Sequence, residues 1–341
     1  MASGQWRLLR ARTPVERVLH DPATPLELRD RLALVEAVRS FAAGLGLAVD
    51  RQYTSYAPWP GDRVVTAVVA TRPGEVEPAG FWFPWLGRLP YKSYFDPAQA
   101  RAEAASLRAD GLDVCLAPVP AYSTLGWFED PVTAPMLREG EGELAETLIH
   151  ELVHATVFVS GDADFDEGLA TFVGQEGSVG FFAARDGAAS PAARERRAEV
   201  SDERVLSAAL LELRNEVAAL YGSEPAGPAR EAARAGLEGL ARTSLAALPL
   251  RTRDAGELAA KLRLNDACLA LEGAYTADLP RYAARLAALG GDLPALMQAA
   301  REAARASDPR TALLGPAPAA ALPAAAEPRP GAPLAPEAAG G

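Results

Sequence analysis

Between Glu141 and Phe158 the chain runs without a proline, and Gly142, near the start, is its only glycine. Leu144, Leu148, Leu152 and Ala155 fall on one side of a 3.6-residue repeat, so the stretch reads as a helix, closed by Ser160-Gly161. On that helix His150 and His154 are one turn apart and share a face, so two imidazoles can be aimed at one cation. Glu151 lies about 100° around the axis from His150, placed to reach a water beside such a cation rather than the cation itself. The chain holds only three histidines, and two of them fall in this pattern. The third, His20, follows Val18-Leu19 near a turn and reads as a surface or packing residue.

A catalytic zinc ion takes three protein ligands and keeps one position open. A histidine six residues beyond His154 is excluded, because that position is Ser160. The third ligand is therefore a carboxylate from the group Asp162, Asp164, Asp166 and Glu167. Glu167 is favoured: a turn at Ser160-Gly161-Asp162 followed by Phe165 to Phe172 suggests a second helix folded back on the first. Glu167 then faces the histidines, and Ala170 and Gly174 permit close approach. Asp164 and Asp166 remain alternatives. Glu146, one turn before His150, reads as a solvated residue.

One zinc ion held by His150, His154 and Glu167 would lower the pKa of a water to about 7. Glu151 would take that water's proton during attack on a polarised carbonyl and pass one to the leaving amine. A tyrosine is a suitable further donor to the developing oxyanion, and the 265–282 region offers Tyr275 and Tyr282, with Tyr275 preferred. Upstream, the extended segment 120–128 carries Tyr122, Ser123, Thr124, Gly126 and Trp127. It could pair with a peptide as an added strand, Gly126 allowing close approach and the aromatics walling the cleft.

The formal charge of −11 and the absence of a basic stripe exclude a nucleic-acid partner. No apolar run reaches the ~20 residues of a membrane span, and the first residues lack the apolar segment of a signal peptide, which places the chain as it stands in the cytoplasm. Cys115 and Cys268 are too few for a disulfide framework and read as small core residues.

Around this centre the expected fold is α+β. Helix is expected over 25–45 and 96–110, strand over 63–71 and 112–118, and two short strands within the aromatic run 81–95. A largely helical region spans 191–305, broken near 222–228 and at Gly290-Gly291. The reading is one zincin-like domain over 1–310, mixed α/β to about 135 and mainly helical from 136, with an Ala/Pro-rich disordered tail over 316–341. Nothing in the sequence fixes an oligomeric state.

Four segments together resemble a known family: residues 4–12 (Gly-Gln-Trp-Arg-Leu-Leu-Arg-Ala-Arg), 119–128 (Val-Pro-Ala-Tyr-Ser-Thr-Leu-Gly-Trp-Phe), 148–154 (Leu-Ile-His-Glu-Leu-Val-His) and 165–173 (Phe-Asp-Glu-Gly-Leu-Ala-Thr-Phe-Val). They are similar to the bacterial putative zinc aminopeptidase family, of the gluzincin type, over about residues 4–300. The resemblance implies His150, His154 and Glu167 as ligands, Glu151 as base, and the 265–267 and Tyr275 region as closing the site. It also implies the cell envelope, since members commonly begin with a lipoprotein-type leader. Asp166 stands where the family usually has Asn. The implied activity is aminopeptidase. Glu129, Asp130 and Glu176 are candidate anchors for a substrate's free amine. A zinc endopeptidase with an open cleft is the alternative, and a zinc-stabilised protein without catalysis is the third.

Overall fold

The computed structural model describes residues 2–83, 87–119, 121 and 129–316. The segment 122–128, expected to line the cleft, lies outside the described residues, as does the stretch from 317 expected to form a tail.

The first part of the chain alternates helices and short strands: α1 (Ala2–Ala11), β1 (Thr13–Pro14), α2 (Val15–His20), α3 (Leu26–Gly44), β2 (Ser55–Ala57), β3 (Val65–Thr71), β4 (Phe81–Phe83), β5 (Gly87–Leu89), β6 (Tyr91–Tyr94), α4 (Pro97–Ala109), β7 (Asp113–Val119) and β8 (Val132–Thr133). A single 3-10 turn, Met136–Arg138, precedes a run of helices: α5 (Glu141–Thr156), α6 (Ala163–Asp186), α7 (Pro191–Ser223), α8 (Pro228–Ala246), α9 (Ala255–Lys261), α10 (Asp266–Thr276), α11 (Leu279–Ala288), α12 (Leu293–Ala303) and α13 (Pro309–Leu314). The fold is α+β and mostly helical, as expected.

Differences from the sequence expectation are local. The aromatic run makes three strands rather than two: β4 and β5 form a hairpin of their own, while β6 joins the main sheet. The helix carrying the histidines stops at Thr156, before Phe158, because Val157 turns extended. Gly161, at φ +90°, completes the reversal, a backbone state that costs a glycine little. The following helix is far longer than 165–172 and is capped by Asp162, whose carboxylate accepts from the Phe165 N–H at 3.1 Å.

The main sheet has the order β6-β3-β7, antiparallel throughout. One face, with Val68, Ala70 and Val114, packs on Ala100 and Ala104 of α4. The opposite face, with Val65, Ala67 and Val69, looks toward the helices. There Cys115 is joined to Cys268 by a disulfide, which corrects the reading of both as free core residues. The sequence hides this pairing behind a separation of 153 residues; strand register and the start of α10 bring the two Cα atoms to 5.1 Å.

The largest core joins α3, α5 and α6, with Leu32, Val35, Val38, Leu148, Leu152, Phe165 and Phe172 among its fully buried members. The α5–α6 contact is close because α6 offers glycine to α5. A Cβ at Gly174 would stand 3.2 Å from the Glu146 carbonyl oxygen and 3.3 Å from the His150 Cβ. Glu146 itself is not a solvated residue. It pairs with Arg196 of α7, a guanidinium buried among Glu146, Glu199 and Glu203.

A Gly174→Val substitution is therefore expected to overpack this contact and destabilise the protein by about 1–3 kcal/mol. Denaturant unfolding of the purified variant checks it; an unchanged midpoint would mean that α5 and α6 do not meet as described.

Candidate metal centre

Of the residues picked out by sequence, His150, His154 and Glu167 are brought together, and their ligand atoms lie within 4.8 Å of one another. Period places the histidines on one face of α5, and the α5–α6 reversal carries Glu167 across to them. His150 Nε2 and His154 Nε2 are 3.1 Å apart, and each is 3.4 Å from Glu167 Oε2. His154 and Glu167 are buried, and His150 is partly so.

Glu167's two oxygens have different fates. Oε1 accepts from the Tyr91 hydroxyl at 3.2 Å, while Oε2 is buried with no hydrogen-bond partner. A buried carboxylate oxygen left unpartnered costs free energy, and here it points at the place where both imidazole nitrogens converge. Two imidazoles and one carboxylate oxygen are the donor set of a catalytic zinc site, so the residues fit a metal ion of that kind.

The electrostatics agree. Burial opposes charge on His154, but the Glu167 carboxylate beside it, with Glu151 and Asp166 beyond, outweighs it and raises the imidazole to about 9. Burial likewise opposes charge on Glu167, yet the two histidines hold its pKa far below the usual carboxylate range. The site thus favours positive charge beside Glu167.

The alternative carboxylates are otherwise engaged. Asp166 Oδ1 accepts from the Val159 N–H at 2.8 Å and so ties the turn between α5 and α6; burial raises its pKa to about 7. Asp162 caps α6, and Asp164 is largely exposed, near Arg310.

Glu151 lines the same cavity, and its Oε2 is buried without a partner. Tyr275, on α10, stacks on His150 with ring centroids 6.4 Å apart and planes 14° from parallel. Enclosure, then the Glu167 charge, pushes its hydroxyl well above the ordinary value. Tyr282 is not at the cavity: its hydroxyl donates to the Phe165 carbonyl at 3.2 Å. The suggested amine anchors are also elsewhere. Glu129 pairs with Arg12 and Arg51, Glu176 pairs with Arg204, and neither they nor Asp130 line the cavity. His20 is exposed, its Nδ1 2.7 Å from the Glu16 carbonyl oxygen.

Sequence reasoning missed Tyr91. It sits in the aromatic run as one ring among many, and only the pairing of β6 with β3 turns it toward Glu167. The Glu167 charge, with burial behind it, raises its hydroxyl well above the ordinary value, so it remains a donor.

The cavity holds about 280 Å³. His150, Glu151, His154 and Glu167 form one side, and the sheet face and the β4–β5 hairpin form the other. Among the described residues, no helix is long and apolar enough to cross a membrane. No curated protein and no solved structure matches the chain. The family model described as putative aminopeptidase matches residues 1–314, and by that match the chain belongs to the putative aminopeptidase family.

Proposed function

We propose that this protein is a zinc metallopeptidase of the gluzincin, zincin-like type, acting as an aminopeptidase. The observation that carries the reading is the convergence of His150 Nε2, His154 Nε2 and an otherwise unpartnered Glu167 Oε2, with Glu151 beside them. The family match supports the aminopeptidase assignment. Residues 1–310 act as one unit in this reading, supported by a core that includes both Val15 and Ala303. We place the protein in an oxidising compartment such as the bacterial cell envelope, a reading supported by the Cys115–Cys268 disulfide.

His150, His154 and Glu167 would hold the ion. When bound, zinc supplies Lewis acidity, polarising a carbonyl and bringing a water's pKa to about 7. Glu151 takes the proton of the attacking water and delivers one to the leaving amine; its unpartnered Oε2 faces the cavity where that water must stand. Tyr275 keeps its proton at neutral pH and donates a hydrogen bond as negative charge gathers on the carbonyl oxygen. Tyr91 holds Glu167 by Oε1, so that Oε2 remains for the ion. The segment with Tyr122, Ser123, Thr124, Gly126 and Trp127 is proposed to bind the peptide backbone.

Three outcomes are expected. Glu151→Gln should bind zinc as the parent does but lose about 10²–10⁴-fold in peptide hydrolysis, read by steady-state kinetics on the zinc-loaded protein; full activity would sink the mechanism. Tyr91→Phe should weaken zinc binding about 10–100-fold, read by chelator competition. An acetylated peptide should resist cleavage while its free-amine twin is cut; equal cleavage of both would favour the endopeptidase alternative.

A further inference from the structure

The wall of the cavity facing the metal-binding residues is a β-sheet, and its register produces a depression. Ala67, in the middle of β3, pairs with Ser93 on β6 and with Ala117 on β7. Residues directly opposite in an antiparallel pair point to the same face, so Ser93, Ala67 and Ala117 form one cross-strand row of small side chains. The rows on either side are larger: Val65 with Val119, and Tyr91 with Val69 and Cys115. The small row is therefore the floor of a trough.

This trough belongs to the cavity. Val65, Ala67, Ser93, Ala117 and Val119 line it together with His150, Glu151 and Glu167. Glu167, 7% exposed, directs an unpartnered oxygen into the region between them. Phe83, Leu89, Phe158 and Leu271 add to the apolar lining among the described residues. Among the described residues no lysine or arginine lines the cavity. Its carboxylates are Glu151, Glu167 and Asp166, the last two already bonded to other groups. An aliphatic or aromatic side chain laid on the floor would leave water for a surface that is apolar apart from the Ser93 hydroxyl. A charged side chain would lose its hydration on this floor; an acidic one would also face the carboxylates of Glu151 and Glu167, and a basic one finds no carboxylate within the floor row itself. A volume of about 280 Å³ accommodates one large residue rather than a run of chain.

We propose that this trough is the side-chain pocket of the peptidase, selecting substrates whose N-terminal residue is large and apolar, of the Leu, Met or Phe kind, with Ala67, Ser93 and Ala117 setting its depth. The proposal rests on the peptidase reading above and names the substrate class for the same site.

The test uses zinc-loaded protein and peptides X-Ala-Ala with X as Gly, Leu, Phe, Glu or Lys. The parent should cleave the Leu and Phe peptides with kcat/KM at least about tenfold above Gly, Glu and Lys. Ala117→Leu and the milder Ala67→Val fill the trough and should lower the Leu-to-Gly ratio about tenfold or more, while zinc affinity stays at the parental level. A parent that treats Glu or Lys like Leu, or variants that keep the parental ratio, would overturn the proposal. Binding of the same peptides to Glu151→Gln protein, measured by calorimetry, separates the two levels of inference. A preference for Leu and Phe in binding without hydrolysis by the parent would remove the peptidase reading and leave the pocket. Hydrolysis with no side-chain preference in either readout would do the reverse.

Discussion

The close packing of α6 on α5 is the contact on which the candidate centre depends. Two histidines on one helix face give only two ligand atoms; the third arrives because Gly174 lets the second helix approach to the backbone of Glu146 and the Cβ of His150. Larger residues would hold the axes further apart and lift Glu167 away from the imidazoles. The far side of the contact is pinned by charge. Arg196, buried on α7, pairs with Glu146 just one turn before His150, and its Nε donates to the Ser178 hydroxyl on α6 at 2.9 Å. Removing Arg196 would leave Glu146, Glu199 and Glu203 without their shared cation, so the network binds the three helices together at the level of the site.

The same arrangement concentrates negative charge where a cation can relieve it. Tyr91 serves one oxygen of Glu167, and the other is buried without a hydrogen-bond partner, facing the two imidazole nitrogens. Burial opposes charge on His154, and the Glu167 carboxylate outweighs it, so positive charge is favoured beside that oxygen. Asp166 carries a different burden despite its adjacency. Its bond to the Val159 N–H holds the turn that aims Glu167, which is why a neighbouring carboxylate in the sequence is not a neighbouring ligand in space.

How much of this the sequence disclosed follows from the range of the interactions involved. The helix with His150, Glu151 and His154 and the fold-back that delivers Glu167 rest on periodicity, a turn and a cap within a few residues of each other, and all were legible. The β3 and β7 strands were equally plain as β-branched or apolar runs. Strand pairing was not. Tyr91 acquires its role, and Ala67, Ser93 and Ala117 become one row, only through register between segments dozens of residues apart. A one-residue slip would have turned each of them to the other face. Tyr275 was preferred for its chemistry as a neutral donor, and the family resemblance implied the same region, while no local pattern marked it; the disulfide was missed for the reason Tyr91 was.

The position of α10 shows why that long-range information matters to the site. Asp113, at the start of β7, accepts from the Asn265 side chain at 2.8 Å and from the Ala267 N–H at 3.0 Å, so one strand residue holds the first turn of α10. The Cys115–Cys268 bridge fixes the same turn covalently two residues further along the strand. From there, β7 runs on to Ala117 and Val119 on one wall of the cavity, while α10 runs on to Leu271 and Tyr275 on another. Errors in strand or helix placement would grow with distance from this junction, and both elements are short enough that little accumulates before the cavity is reached. The tyrosine stacked on His150 and the small-residue floor opposite are thereby set by one junction, which lies outside α5 and α6 altogether.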